Sequence, residues 1–367
     1  MNPVSLRTPV AEMLGIEYPI FAFAHHEDVV VAACEAGAIG IYGGTRKTPE
    51  EIRDVLRRIR DRVGDRPFGI DLVIPRGMPE HNNREEIEAQ IPTEHRVFID
   101  HIYEKYGVGR PRRAGSRSRF VRSEETAMEQ VEVVLESDVN VFALGIGTPK
   151  DAVKRAQADG KKVVSLVGSA RNARYALDAG VDIIVAQGYD AGGHTGVIGT
   201  FTLVPRIVEM AGSIPVLAAG GVGTGRHLAG ALAMGAQGVW VGTAWLLTKE
   251  NHTDPILLKK LIAADAEDTV ISRADSGKTL RQIRTAWSEE WAQQGVPAPL
   301  RMPYQDILVG DLLGAIDDYR VEALMHTPAG QGVGYFDSET TVAEVVDRFV
   351  TGAREALGGL PWVTPAR

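Results

Sequence analysis

The chain of 367 residues has little of several features that mark specialised protein classes. Its single cysteine, Cys34, cannot form an internal disulfide, so we expect a reducing, cytoplasmic environment. No apolar run approaches the ~18 residues of a membrane span, which argues against an integral membrane protein. A formal net charge of −8 disfavours nucleic acid and anionic membranes as partners, because both would repel an acidic surface. A small-molecule partner remains as the expectation.

Short apolar, β-rich segments recur along the chain, and most end in glycine or another small residue. Helix-patterned segments such as "TPEEIRDVLRRIRDRV" lie between most of them. Apolar strands alternating with amphipathic helices indicate parallel strands covered on their outer face. Eight such units are the number that closes a TIM barrel, so we predict an α/β fold of that type. The predicted strands span residues 19–24, 38–44, 67–74, 139–145, 162–168, 181–188, 215–221 and 238–243.

Two segments interrupt this repeat. A highly charged insertion covers about residues 75–125, after the third strand. Residues 263–334 contain "TLRQIRTAWSEEWAQQG" and "LVGDLLGAIDDYRVEALM", which we predict as two helices of a smaller, mainly helical capping domain. The barrel domain would then comprise residues 1–262, with the insertion, and residues 335–367.

Glycine-rich loops follow the last two predicted strands. They contain Gly220-Gly221-Val222-Gly223-Thr224-Gly225 and Gly242-Thr243, in the positions where TIM barrels commonly bind phosphate. Glycine lets backbone N–H groups approach a phosphate closely, and the next helix directs its positive end there. A dinucleotide-binding fold fits less well, because "GGVGTG" is not G-x-G-x-x-G and no acidic residue lies ~20 positions on.

The segment "AQGYDAGGHTG", residues 186–196, follows the sixth predicted strand. Gln187 and His194 should therefore face the mouth of the barrel, with Gly192 and Gly193 leaving room for a flat ring or a phosphate. A histidine among glycines has little packing to justify it. Its ordinary pKa near 6.5 would suit proton abstraction near neutral pH.

Polar residues also follow the first strand, in "AHHED". We expect His25 and His26 to lie on the substrate side of the mouth, and we expect no metal, although a metal site or a polar helix start are alternatives for this motif. The insertion carries six arginines in "GRPRRAGSRSRFVR". They are interpreted either as a solvated loop or as a lid that holds an anionic substrate, such as a coenzyme A thioester.

Taken together, "AQGYDAGGHTG", "PVLAAGGVGTGRHLAGALAMGAQGVWVGTAWLLT", "SRADSGK" and "AGQGVG" resemble the nitronate monooxygenase family, formerly called 2-nitropropane dioxygenases. Its relatives include flavin-dependent enoyl reductases and NAD(P)H:quinone reductases. The resemblance implies a TIM barrel with noncovalent FMN, a helical capping domain and His194 as the catalytic base. The expected cofactor-binding residues are Asp71, Gln187, Gly192, Gly193, Gly220, Gly221, Trp240, Val241, Gly242 and Thr243.

Three residues or motifs depart from the family pattern. "AHHED" replaces a turn of a small residue, proline and methionine; Asp71 stands where an asparagine contacts flavin; and Asp190 replaces a glutamate. A carboxylate at position 71 would disfavour anionic reduced flavin unless it is paired or protonated. These departures suggest a branch whose substrate is not a simple nitroalkane.

The resemblance leads to one main hypothesis and two alternatives. The main hypothesis is an FMN-dependent monooxygenase that oxidises alkyl nitronates with O2 to a carbonyl compound and nitrite. The first alternative is an FMN reductase that uses NAD(P)H on an enoyl thioester or quinone. The second is a flavin-binding barrel without turnover, since the fold alone does not specify the chemistry.

Overall fold

Strands and helices alternate along most of the chain, and the strands close into a barrel. The computed structural model describes residues 4–74 and 77–359. Strand β1 (Ile20–Ala24) pairs in parallel with both β2 (Ile39–Gly43) and β9 (Gly238–Val241). This pairing closes the sheet and confirms the predicted TIM barrel. The barrel strands are β1 Ile20–Ala24, β2 Ile39–Gly43, β3 Gly69–Leu72, β4 Val141–Leu144, β5 Lys162–Val167, β6 Ile183–Gln187, β8 Val216–Ala219 and β9 Gly238–Val241.

Helices follow most barrel strands, and local sequence signals explain several of their ends. Helix α3, for example, starts with a capping box between Thr48 and Glu51 and with Pro49 in its first turn. The helices are α1 Pro9–Leu14, α2 Glu27–Glu35, α3 Pro49–Val63, α4 Arg84–Ala89, α5 Thr93–Tyr106, α6 Glu124–Glu136, α7 Lys150–Ala158, α8 Ala170–Ala179, α9 Thr200–Ala211, α10 Gly225–Ala233, α11 Pro255–Ala263, α12 Ala286–Glu290, α13 Tyr304–Asp318 and α14 Val342–Leu357.

Side chains of alternate strand residues fill the barrel interior. Phe21, Ile41, Val185 and Trp240 belong to this inner cluster, whereas the intervening residues pack outward against the helices. The last helix, α14, buries its apolar face on the barrel side. The interior is therefore a packed core, and open space for a ligand has to lie at the mouth.

A second, three-stranded sheet lies beside the barrel. It consists of β7 Gly193–His194, β10 Thr269–Ser272 and β11 Leu280–Ile283, in the order β10-β11-β7. The prediction of one helix over "TLRQIRTAWSEEWAQQG" is thus wrong in its first half. Leu280 and Ile283 are three residues apart, a spacing that favours a helix. Antiparallel pairing with β10 and β7 nevertheless makes this segment a strand.

The charged insertion packs on residues of the predicted capping domain, 263–334, which we call the second domain. Phe98 and Ile102 of α5 share an apolar core with Trp287 and Leu312, and α4 also contacts α13. The two segments that interrupt the βα repeat therefore enclose a common core. The predicted domain boundaries stay a prediction, and residues 75, 76 and 360–367 of the predicted ranges lie outside the described residues. Within the described ranges, no helix is long and apolar enough to cross a membrane.

Candidate active site

His194 is held from two sides at the mouth of the barrel. Its backbone belongs to β7, which pairs with β11 so that His194 lies opposite Leu280. The Gln187 side chain, at the end of β6, donates from Nε2 to the His194 carbonyl over 2.6 Å. The His194 Nε2 atom lies 2.7 Å from the Ser276 hydroxyl. The first two contacts hold the His194 backbone, and the third orients its imidazole.

The environment of His194 disfavours a proton on its ring. Burial lowers the pKa of His194, and together with the smaller effects of the cations Arg117, Arg122, Arg46 and Lys278 it brings that pKa to about 3. The sequence-based expectation of an ordinary pKa near 6.5 is therefore wrong, because it could not include burial or the approach of four cations. His194 is neutral at physiological pH.

Those four cations are only partly balanced by carboxylates. Arg117 pairs with Asp275 at 3.0 Å and with Asp306 at 3.5 Å, and Arg46 approaches Asp306 at 3.6 Å. The side chains of both aspartates are 2 % exposed, so these pairs are screened little by solvent. Desolvation and the neighbouring Arg117 lower the pKa of Arg46 to about 9, which reflects the crowding of positive charge.

Asp275 connects this cluster to a second histidine. Its carboxylate accepts hydrogen bonds from the Trp287 indole at 2.9 Å and contacts His326 Nε2 at 3.1 Å. His326 is buried, yet the adjacent Asp275 charge raises its pKa above the ordinary value. His326, Asp275 and Arg117 thus form a buried network that positions one of the site arginines.

The arginine-rich run divides into two groups. Arg117 and Arg122 turn inward and are 14 % and 8 % exposed, respectively. Arg122 donates to the Val73 carbonyl at the end of β3. The other four arginines lie on the outside or pair there, with Asp100 for Arg110, Tyr319 for Arg112, Asp318 for Arg113 and Glu51 for Arg119. The run is thus an exposed loop at four of its arginines and largely buried at the other two, and a lid that holds an anionic substrate stays a prediction.

Asp71 lies at the mouth as a buried acid without a hydrogen-bond partner for its Oδ1. Its burial raises its pKa well above the ordinary value, and the opposing effect of Arg122 is smaller. Burial therefore favours the protonated form of Asp71, which carries no charge that would oppose an anionic flavin. A neutral carboxyl group can donate one hydrogen bond to a ligand.

The predicted glycines differ in what they leave open. Gly220 and Gly221 have φ angles of +99° and +72°, which non-glycine residues adopt at a cost. A Cβ on Gly193 would meet no atom within 4 Å, and one on Gly242 would reach only Phe23 at 3.9 Å. Gly192, in contrast, packs on the backbone of residues 329–330, so loop packing already explains its lack of a side chain.

The remaining predicted cofactor residues lie along the end of β9. Trp240 points into the barrel and stacks on Phe23 with ring centroids 5.8 Å apart. Val241 packs outward in the strand–helix core, so its side chain does not face the mouth. The Thr243 hydroxyl accepts a hydrogen bond from the Gly330 amide. Val241 can therefore contact a ligand at the mouth through its backbone but not through its side chain.

The two histidines of "AHHED" take different directions. His25 is exposed, with Nδ1 3.1 Å from the Gly43 carbonyl and its ring edge-on to Phe23. The surrounding protein lowers its pKa, with further lowering by Arg46 and Arg117. His26 lies instead with Asp28 and His252, away from the His194 contacts. The structure thus brings His25, but not His26, into the surroundings of the arginines.

These residues fit the flavin that the family resemblance implies. A Cβ at Gly193 or Gly242 would meet little or nothing, so the backbone there is open to a ligand, and the buried Asp71 Oδ1 atom has no hydrogen-bond partner within the protein. The positive φ angles of Gly220 and Gly221 shape the adjoining turn. Gln187 already uses one N–H on the His194 carbonyl, which leaves its other donor and its oxygen for a ligand.

Sequence reasoning missed Arg46, Ser276 and Lys278. Arg46 follows "YGG" at the end of β2, so the rule that strand ends carry the site in a TIM barrel could have found it. Ser276 and Lys278 belong to "SRADSGK", which was noted only for its family resemblance. Nothing in the spacing of that motif indicates contact with a histidine 82 residues away.

The sequence is similar to a known protein family and to several of its relatives. The family model described as nitronate monooxygenase matches residues 7–352. A Mycobacterium tuberculosis protein provisionally named a monooxygenase is 39% identical, over 96% of this chain and 99% of its own length. A Staphylococcus aureus protein provisionally named a nitronate monooxygenase is 28% identical, over 88% of this chain and 90% of its own length.

Two solved structures share the architecture. FabK from Thermotoga maritima has a TM-score of 0.74 at 27% identity, covering 96% of this chain and 97% of FabK. A nitroalkane oxidase from Streptomyces ansochromogenes has a TM-score of 0.79 at 24% identity, covering 95% and 99%, and supports the fold alone. The chain is an oxidoreductase that uses a flavin, and it belongs to the nitronate monooxygenase family.

Proposed function

We propose that the protein uses FMN to oxidise anionic alkyl nitronates with O2, giving a carbonyl compound and nitrite. The observation that carries this proposal is the position of the His194 imidazole, which contacts Ser276 and has Arg46, Arg117, Arg122 and Lys278 around it. A bound flavin supplies the electron acceptor for this chemistry. The protein supplies charge, orientation and a controlled proton.

The charge at the mouth favours a substrate that arrives already ionised. A nitronate is an anion, and the surplus of cations would attract it and replace part of its lost hydration. A neutral nitroalkane has to lose a proton first, and a histidine with a pKa of about 3 is a weak base for that step. The nitronate therefore suits this site better than its conjugate acid.

His194 would orient the bound anion rather than ionise a substrate. We assign the Ser276 hydroxyl as a donor to His194 Nε2, because that hydroxyl accepts the Lys278 amide at 3.4 Å. The Nδ1 atom then carries the proton and can donate a hydrogen bond. An anion bound among the cations would offset their charge and raise the pKa of His194 toward its ordinary value.

A second candidate is an FMN reductase that uses NAD(P)H on an enoyl thioester or quinone. The exposed Arg112 and Arg113, on the same inserted segment as the inward Arg117, favour it, because they could meet the phosphates of a nucleotide. The similarity to FabK, at 27% identity, also supports this candidate.

An anaerobic reduction screen separates the two candidates. The flavin absorbance of the holoprotein would be followed after mixing with a nitronate, the corresponding neutral nitroalkane, NADH or NADPH. We expect rapid bleaching by nitronates and slow bleaching by the nitroalkane. Rapid bleaching by NADH or NADPH with none by nitronates would establish the reductase instead, and bleaching by no donor would contradict both.

A further inference from the structure

A cluster of two histidines and one aspartate lies on the rim of the barrel, outside the site described above. His26 and Asp28 stand at the start of α2, directly after β1. His252 belongs to the segment that follows β9, the barrel neighbour of β1. The sequence motif "AHHED" contributes two of these residues, and the fold brings in the third from 224 positions away.

The ligand-type atoms of the three side chains already lie close together. Asp28 Oδ2 is 2.8 Å from His252 Nε2 and 3.6 Å from His26 Nδ1, and all three atoms lie within 4.8 Å of one another. Zinc with ligands at ~2.0–2.2 Å in tetrahedral geometry holds them roughly 3.3 Å apart. The observed spacing needs only small side-chain adjustments to surround one ion.

The charges around the cluster leave one carboxylate oxygen directed at the histidines. Arg62 pairs with Asp28 through Oδ1, and its hydrogen bond lowers the pKa of that carboxyl, while Oδ2 faces His26 and His252. Glu27 pairs with Arg58 of α3. Arg62 therefore occupies Oδ1 and leaves Oδ2 directed at both histidines, although the Arg62 charge weakens the attraction for a cation.

A simple ion pair does not explain the whole arrangement. The His252–Asp28 contact would need only one histidine, yet the His26 ring lies 4.5 Å from the His252 ring, centroid to centroid. The His26 Nδ1 atom accepts the Asp28 backbone N–H at 3.3 Å as the N-cap of α2, so this nitrogen carries a lone pair that a metal ion would take over from the cap. His252 also adopts φ of +50°, a region that non-glycine residues occupy at a cost.

We propose that His26, Asp28 and His252 bind one divalent transition-metal ion of the zinc class. Two imidazole nitrogens and one carboxylate oxygen supply three ligands, and water supplies the fourth. The ion would link the segment after β1 to the segment after β9, where the barrel sheet closes. The site is independent of the flavin chemistry, and it departs from the sequence-based expectation of no metal.

Metal binding by the full-length, tag-free holoprotein tests this proposal. After removal of metal by chelation, Zn²⁺ would be titrated calorimetrically and Co²⁺ by its visible absorption. We expect one ion per chain and the intense Co²⁺ bands of a four-coordinate site. His252→Asn and His26→Ala should each weaken Zn²⁺ binding at least about 10-fold, because loss of even an outer-shell partner of a metal ligand typically has an effect of that size.

A matched control distinguishes this cluster from nonspecific histidine binding. His81 is exposed and lies near Glu80 and Glu125, at another part of the surface. His81→Ala should leave the Zn²⁺ affinity unchanged, and asparagine at position 252 tolerates the left-handed backbone, which protects folding. No binding at micromolar Zn²⁺, or equal binding by wild type and a His26→Ala/His252→Asn double variant that keeps its flavin absorbance, would overturn the proposal.

Discussion

The His194 Nε2 atom and the Ser276 hydroxyl, 2.7 Å apart, join the barrel to the second domain. His194 follows β6 of the barrel, whereas Ser276 lies between β10 and β11. The pairing of β7 with β11 sets the distance between them. The orientation of the imidazole therefore depends on how the second domain docks, and not on the barrel alone.

Removal of the Ser276 hydroxyl should loosen His194 without unfolding the site. A neutral hydrogen bond contributes about 1 kcal/mol, so Ser276→Ala should lower kcat/KM for a nitronate roughly 5-fold. Steady-state oxygen consumption measures this change, with the exposed Ser338→Ala as the control. An unchanged kcat/KM in Ser276→Ala would mean that the contact does not orient the ring.

Two arginines of the inserted segment provide a matched test of substrate charge. Arg122 is buried beside the mouth, whereas Arg113 is 82% exposed and pairs with Asp318. Arg122→Gln should raise the KM for a nitronate about 10-fold, the effect of losing roughly 1.4 kcal/mol of attraction. Arg113→Gln should change it little, and steady-state kinetics at two salt concentrations would compare both variants. Equal effects would argue for general surface charge instead.

The fold could be predicted from the sequence because strands and helices of a TIM barrel carry strong local patterns. All eight barrel strands were located, since each is a short apolar run that ends near a small residue. The strand at Leu280–Ile283 was missed because its partners, β7 and β10, define it more than its own residues do. Antiparallel pairing over four residues leaves little local signal.

The candidate site was predictable only where its residues follow barrel strands. His25, Asp71, Gln187 and His194 fall at or after strand ends, so their place at the mouth follows from topology. The low pKa of His194 was not predictable, because it depends on side chains such as Lys278 from the second domain. The balance of charge around His194 depends on the tertiary structure, and the local sequence does not encode it.

Asp71 provides a test of the neutral carboxyl at the mouth. Asparagine matches the shape of a protonated carboxyl, so Asp71→Asn should keep the FMN dissociation constant within about 3-fold at pH 7. That corresponds to a change in binding free energy smaller than the contribution of one neutral hydrogen bond. Asp71→Ala should weaken binding more, because it removes the side-chain donor. Fluorescence titration of FMN into deflavinated protein measures both. A large loss in Asp71→Asn would indicate that the ionised carboxylate is the form that binds.

The two buried histidines should give the protein opposite pH dependences. The unfolded pKa of histidine is near 6.5, while that of folded His194 is about 3, so only the unfolded chain takes up this proton between those values. The free energy of unfolding should therefore decrease as pH falls from about 6.5 toward 3, by roughly 1 kcal/mol per pH unit. His326 has a raised pKa, so its contribution is complete below pH 6.5 and disappears as pH rises through its folded value.

Urea unfolding at matched flavin occupancy, measured from pH 4 to 9, separates the two contributions. His194→Gln should flatten the loss of stability on the acidic side and leave the alkaline side unchanged. His326→Gln should remove the alkaline loss, at the expense of lower stability near neutral pH because Asp275 loses a cationic partner. If His194→Gln retained the full acidic slope, the imidazole would be protonated in the folded protein, and the argument for a substrate that arrives as an anion would lose its main support.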